Sequence, residues 1–301
     1  MKTKNKILLL IFSGTGNTLK VGNMIATRFK KNGFSVDIIE IKHPFPVITD
    51  INQYRFIGFG YPIHAFNIPK IYRQFIATVP VAKAVPAFIF KTSGEPFSLN
   101  NASSYLLVKT LRKKGYQIRS DTHFLMPYNI LFRYPDRAVK DMIFYAEILS
   151  AITVQKLIEN KQDTLRYKFQ HRLISALFRI QYWGAKLNGR LLGVNKNKCT
   201  QCGLCIKNCP TGNIVIRQGK IKFSGKCTMC MRCIMYCPQD AIKAGLLSRW
   251  KVNGQYNFKK IAADDTIKKD FFSEPQTGFF SYFRKYYDNL DKQKDDAKLR
   301  L

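Results

Sequence analysis

Ile7-Leu8-Leu9-Leu10-Ile11-Phe12, running straight into Ser13-Gly14-Thr15-Gly16-Asn17-Thr18, is the stretch that decides the fold of this 301-residue chain. Six consecutive apolar residues bounded by turn formers read as a strand buried on both faces, as in parallel sheets. A helical pattern follows through Lys31. A strand that enters a helix through a hydroxyl- and glycine-rich turn is a phosphate cradle. Backbone N–H groups and the helix N-terminus face the anion, and hydroxyls add donors. A P-loop would end in Gly-Lys-Ser/Thr, but no lysine follows the turn until Lys20. A Rossmann fingerprint would place a third glycine where Leu19 stands. Both of those nucleotide readings fail.

Working outward, the same alternation continues. Apolar runs predict strands at Phe34–Ile41, Phe56–Gly60, Ala87–Lys91 and Gln117–Leu125, with helical stretches near 67–78, 102–114 and 136–160. Five strands alternating with helices predict one parallel, doubly wound α/β sheet over residues 1–160. Ligands of such sheets bind beyond the carboxyl ends of the strands. Two loops lie there: Tyr61-Pro62-Ile63-His64-Ala65-Phe66-Asn67 and Thr92-Ser93-Gly94-Glu95-Pro96-Phe97-Ser98.

The segment Ser13-Gly14-Thr15-Gly16-Asn17-Thr18 resembles the phosphate loop of the flavodoxin family, Thr/Ser-x-Thr-Gly-x-Thr. The resemblance implies a five-stranded flavodoxin-like domain that binds FMN without a lysine counter-ion. Ser13, Thr15, Asn17 and Thr18 would be phosphate donors, with Gly14 and Gly16 in the loop and Gly16 allowing close backbone approach. The resemblance also assigns the isoalloxazine ring to the two later loops, between Tyr61 and Phe97. Tyr61 has an alternative as a capping aromatic of the core. His64 is either a flavin hydrogen-bond partner or a structural histidine.

All eight cysteines belong to one pattern written twice, Cys199-x2-Cys202-x2-Cys205-x3-Cys209-Pro210 and Cys227-x2-Cys230-x2-Cys233-x3-Cys237-Pro238. This is the spacing of bacterial two-cluster ferredoxins, in which the fourth cysteine of each run ligates the other cluster. Cys199, Cys202, Cys205 and Cys237 are therefore expected to hold one 4Fe-4S cube, and Cys227, Cys230, Cys233 and Cys209 a second. Zinc sites use paired ligands rather than this triplet with Cys-Pro, and disulfide frameworks belong to short secreted chains. Ile206, Ile214, Ile216, Ile221, Ile234 and Ile242 offer an apolar jacket of the kind that tunes cluster potential. Residues 196–245 are expected to form a small α+β ferredoxin domain. Over roughly residues 1–160 and 196–245 the chain resembles the flavodoxin–ferredoxin fusion proteins of anaerobes.

Fifty Lys and Arg against nineteen Asp and Glu give a net charge of +31. By segment the excess is +13 for 1–160, +8 for 161–198, +6 for 199–245 and +4 for 246–301. Such a surface is expected to meet acidic redox partner proteins or an anionic membrane surface. No nucleic-acid motif accompanies it, so nucleic acid is not an expected partner. Residues 161–195 form a basic connector. Within it 163–192 read as an amphipathic helix, with Phe169, Leu173, Leu177, Ile180, Leu187 and Leu191 on one face and Arg172, Arg179 and Lys186 on another. Packing against one module is the expectation, and a helix in the membrane interface, with Tyr182 and Trp183 at headgroup level, is the rival. The aromatic stretch 246–301 either covers the first module or docks a partner.

The basic start Met1–Lys6 and the apolar run after it superficially resemble a secretion signal, but the run is too short and no cleavage site follows. Nor is any apolar stretch long enough to span a bilayer. A cytoplasmic protein, peripheral at most to a membrane, is expected. Its expected work is electron transfer among two 4Fe-4S clusters, FMN and redox partners, with no catalytic side chain required. The rival functions are an FMN-dependent reductase of a quinone or nitro compound and a membrane-associated electron-input module.

Overall fold

The computed structural model describes residues 5–296. Most of the signal-like N-terminus (residues 1–4) and the end of the tail (297–301) lie outside the described residues. Five parallel strands, β1 (Lys6–Ile11), β2 (Ser35–Glu40), β3 (Phe56–Pro62), β4 (Val85–Ser93) and β5 (Tyr116–Leu125), are ordered β2-β1-β3-β4-β5. That is the flavodoxin-like doubly wound order. Strands β3 and β4 each run two residues past their expected ends, carrying Pro62 and Ser93 to the sheet's rim.

Side-chain alternation along β1 explains the two layers. Ile7, Leu9 and Ile11 enter a core with α1 (Asn17–Lys31) and α4 (Asp136–Ile158), while Leu8, Leu10 and Phe12 enter one with α2 (Lys70–Thr78) and α3 (Tyr105–Lys113). A 3-10 stretch, Ser98–Ser104, precedes α3. Strand β5 carries a register shift opposite Ala87/Phe88. Its Asp121 carboxylate makes a fully buried ion pair with Lys91, 2.9 Å apart. Tyr167 donates to the same carboxylate, so the connector caps the pair.

The connector departs from expectation. It forms α5 (Phe169–Leu177), a 3-10 turn (Phe178–Ile180) and α6 (Gln181–Leu191). It does pack on the protein, but through its polar and small residues Ser175, Ala185, Asn188 and Gly189. The six apolar residues expected to face inward, Phe169, Leu173, Leu177, Ile180, Leu187 and Leu191, are all exposed. Tyr182 turns in, its hydroxyl donating to the Ile68 carbonyl at 2.6 Å, while Trp183 faces solvent.

The ferredoxin-type domain follows as β6 (Gly193–Val194), α7 (Leu204–Lys207), the hairpin β7 (Ile214–Arg217) with β8 (Lys220–Phe223), α8 (Arg232–Met235) and β9 (Ile242–Lys243). Strand β9 pairs antiparallel with β6. Of the expected isoleucine jacket, Ile214, Ile234 and Ile242 are buried and Ile206 and Ile221 half-buried, but Ile216 is exposed.

The tail covers the first module. Tyr256, Ile261 of α9 (Phe258–Ala263), Phe272, Phe283, and Tyr287 and Leu290 of α10 (Arg284–Asp296) share one hydrophobic cluster with α4. Helix α4 is apolar nearly all round because it is buried nearly all round. Its Asp141 accepts the Phe272 N–H at 3.0 Å. Burial lifts that carboxyl to about 6, while the Phe272 hydrogen bond offsets part of the rise.

Candidate functional site

A cavity of about 560 Å³ opens beyond the carboxyl ends of the sheet, within the usual range for a small-molecule pocket. Ser13, Gly14, Thr15, Asn17 and Thr18 line it from the first loop, Pro62, Ile63, His64, Ala65 and Phe66 from the second, and Thr92, Ser93, Gly94 and Glu95 from the third. Gly16 caps α1 in a left-handed conformation (φ 100°), behind the wall. Side chains of the first loop largely tie the rim together. The Thr15 hydroxyl donates to Asn129 Oδ1 at 2.7 Å, the Asn17 amide to the Pro127 carbonyl at 2.8 Å, and Thr18 and Thr92 share a hydrogen bond at 2.7 Å. No side chain caps α1, and its first turn holds no acid. The Gly16 N–H donates to Ser13 Oγ at 3.2 Å, and a helix start with no acid beside it is electrostatically suited to an anion.

Three expected ring contacts fall elsewhere. Tyr61 is fully buried in the core, against Tyr72, with its hydroxyl 3.2 Å from Ser103 Oγ. Period-2 alternation points it into the sheet's face rather than over the rim. Phe97 lies against Tyr282 of the tail, outside the pocket wall. Asn67 is buried, holding the Ala65 and Ser175 carbonyls and so closing the second loop and anchoring α5. His64 does line the pocket. Burial pushes its imidazole down to about 4, a hydrogen bond with the Thr228 backbone offsetting part of that, so it is neutral near pH 7. Burial raises the Glu95 carboxyl, while the Asn100 amide, 2.9 Å away, holds it back.

Half of the wall comes from segments the sequence reading did not assign to the pocket: Met126–Leu131 after β5, Phe178 and Gln181 of the connector, Met229-Cys230-Met231, and Leu247 and Trp250. The loop after β5 was open to prediction, since it also ends a parallel strand. The others arrive through tertiary packing and leave no local signal.

The cysteines gather into two sets. Cys199, Cys202, Cys205 and Cys237 line one space, and Cys209, Cys227, Cys230 and Cys233 another. Each set thus takes three residues from one run and the fourth from the other. Among the described residues no three or more His, Cys, Asp or Glu converge as they would on a single metal ion. Thiolates at the corners of a four-iron cube stand farther apart than that. Burial raises the Cys230 thiol to about 12, with the neighbouring Cys227 adding to it, and raises Cys233 further. Such thiols ionise when a metal takes the charge.

The sequence repeat is also a backbone repeat, offset by 28 residues in the numbering. Left-handed φ values recur at Gln201 and Met229 (55° and 53°), at Gly203 and Met231 (72° and 59°), and at Gly212 and Asp240 (60° and 45°). Backbone N–H groups donate to sulfur at matching places, Asn213 to Cys209 and Ala241 to Cys237, both at 3.2 Å. Hydrogen bonds to the sulfurs are one determinant of cluster potential. The second run carries Met231 where the first carries the better-suited Gly203, and Met231 is the one in the pocket wall.

The two modules meet at this wall. A Cβ placed on Gly14 would sit 2.3 Å from the Cys230 carbonyl oxygen. Arg232 donates to the Gly14 carbonyl at 3.1 Å and pairs with Glu40. The His43 N–H donates to the Pro210 carbonyl at 2.8 Å. One cysteine set therefore abuts the phosphate loop. At the other set, Cys202 is exposed.

Residues 198–242 match the family described as the 4Fe-4S dicluster domain. Solved structures with a similar first half include a flavodoxin from the domain Archaea, at 12% identity over 51% of this chain and 99% of that one (TM-score 0.35). Megasphaera elsdenii flavodoxin is 18% identical over 39% of this chain and 84% of its own (TM-score 0.34). A flavo di-iron protein mutant from Thermotoga maritima is 18% identical over 40% of this chain (TM-score 0.33), and the chain spans only 31% of that protein's length. Comparison with curated proteins finds no match. The chain is thus a fusion of a flavodoxin-like module with a ferredoxin-type iron–sulfur module. The 4Fe-4S dicluster match supports an electron-transfer role.

Proposed function

We propose that the chain is a relay in which FMN and two 4Fe-4S clusters are held in one line and passed electrons by a redox partner protein. Its carrying observation is the contact of Gly14 with Cys230, which brings one member of the second cysteine set into the wall of the pocket beyond the sheet. When bound, the cubes supply one-electron steps and FMN one- or two-electron steps. The residues do the positioning. The Ser13–Thr18 loop seats the phosphate, His64 stays neutral beside the ring, and the crossed cysteines lock both cubes into one small domain. Nothing in this reading asks a side chain to attack a substrate.

The set Cys199, Cys202, Cys205 and Cys237 is the end that faces outward, with Lys196, Lys198 and Lys207 exposed around it. That cationic rim favours an acidic partner, and association with it should slow steeply as salt rises. Rates that stay flat from low to high salt would remove the acidic partner from the account.

Anaerobically purified protein should contain about eight irons, matching sulfide and about one FMN per chain. Stoichiometric zinc without sulfide, or clusters without flavin, would overturn the proposal.

A further inference from the structure

The connector carries a second inference, independent of the relay. Helices α5 and α6 are amphipathic the wrong way round for a soluble monomer. Their polar and small side holds the protein: Ser175 donates to the Phe66 carbonyl at 2.9 Å, Asn188 Oδ1 accepts the Leu246 N–H at 2.7 Å, and Gly189 lies against Cys227. Their bulky apolar side faces water, with Phe169 67%, Leu177 73%, Ile180 71% and Trp183 73% exposed. Contiguous apolar exposure of this kind marks an interaction surface.

Charge says what covers it. From residue 164 to residue 239 there is no Asp or Glu, while Lys168, Arg179, Lys186 and Arg190 flank the apolar face. We propose that this face rests on an anionic lipid surface, with the helices lying in the plane of the headgroups. Leucines with tryptophan on one side and cations beside them are the composition of interfacial helices. A second copy of the chain would bring the same positive charge to the contact. A protein groove would have to match the change of helical winding at the 3-10 stretch Phe178–Ile180, whereas lipid has no shape to match. No helix is long and apolar enough to cross a membrane among the described residues, so the contact proposed is peripheral.

Exposed Trp250, which shares the pocket wall with Phe178, extends the face. The chain has two tryptophans, and both lie on it. Their emission therefore reads the contact directly. Full-length holoprotein should float with phosphatidylcholine vesicles that contain phosphatidylglycerol and stay behind with pure phosphatidylcholine. Its tryptophan emission should shift to the blue only with the former. The double variant Leu177→Glu/Ile180→Glu changes exposed side chains, and it should bind at least about tenfold more weakly with its cluster and flavin absorbance intact. Lys186→Gln and Arg190→Gln should each weaken binding by roughly fivefold. Equal binding to both vesicle types, or a double variant that floats like the wild type, overturns the proposal. So does a wild-type chain that ignores vesicles but forms a dimer or a complex with an acidic protein that the double variant cannot form. None of these results touches the cofactor content on which the relay rests.

Discussion

Gly14 has room for a hydrogen and for nothing larger, because backbone meets backbone between the phosphate loop and the Cys230 loop. Gly14→Ala should push the modules apart locally and cost about 1–3 kcal/mol, read as a lowered unfolding midpoint. Iron, sulfide and flavin should stay bound while exchange of electrons between them slows; an unchanged rate would show that this contact does not set the relay. The phosphate loop and the cysteine runs were legible in the sequence because their chemistry is local, a turn of hydroxyls or a fixed spacing of thiols. Phe97 and Asn67 fall outside their expected ring contacts, and Tyr61 takes the second of its two expected roles, an aromatic of the core, because a loop's composition does not say which way its side chains point. The placing of Cys209 was legible too, since the doubled run implies that it joins the other run's set, and the structure groups it with Cys227, Cys230 and Cys233. Cys209→Ala should cost the cluster bounded by Cys227, Cys230 and Cys233, lowering iron from about eight to about four per chain. Two spectroscopically intact clusters in that variant would refute the crossed ligation.

At the level of elements, the five strands follow from apolar runs and turn chemistry, and the structure differs from that reading by a residue or two at most strand ends. Helix α4 held a signal that went unused. A helix apolar on every side needs a cover on every side, and the tail supplies it through Phe272, Phe283 and Tyr287. The connector misled because periodicity reports that a helix has two faces, not which of them the protein takes. The docking of α10 onto β5 has a pH signature. His123 sits with Nε2 2.7 Å from Ser93 Oγ, and its backbone carbonyl accepts the Tyr286 hydroxyl at 2.7 Å. Burial, with the Lys91 ammonium adding to it, pushes its imidazole down to about 3. Between pH 6.5 and 3 the unfolded chain therefore binds a proton that the folded chain refuses, so stability falls as pH drops through that window. His123→Gln should reduce the loss between pH 6.5 and 4.5 by about 2 kcal/mol in denaturant titrations. Asp141, raised to about 6, works in the opposite sense and is common to both proteins. Identical pH profiles would show that His123 does not titrate in this way.

Across the whole molecule, the fusion does more than tether two carriers. Part of the ferredoxin-type domain forms one wall of the pocket beyond the sheet, the connector forms another, and the tail covers α4. The sequence offered the tail as a cover and the connector as a packed segment, but it shows modules and not how they dock into a shared pocket wall. Covalent linkage alone would raise the effective concentration of one module for the other. Docking through Gly14 and Cys230 goes further and fixes their separation. The most direct test injects electrons by a light flash into anaerobic holoprotein and follows their redistribution between iron–sulfur and flavin absorbance as the protein is diluted. A first-order rate unchanged by dilution is the result the fixed relay predicts. A rate that falls in proportion to protein concentration would mean that the electrons cross between separate molecules, and would contradict it.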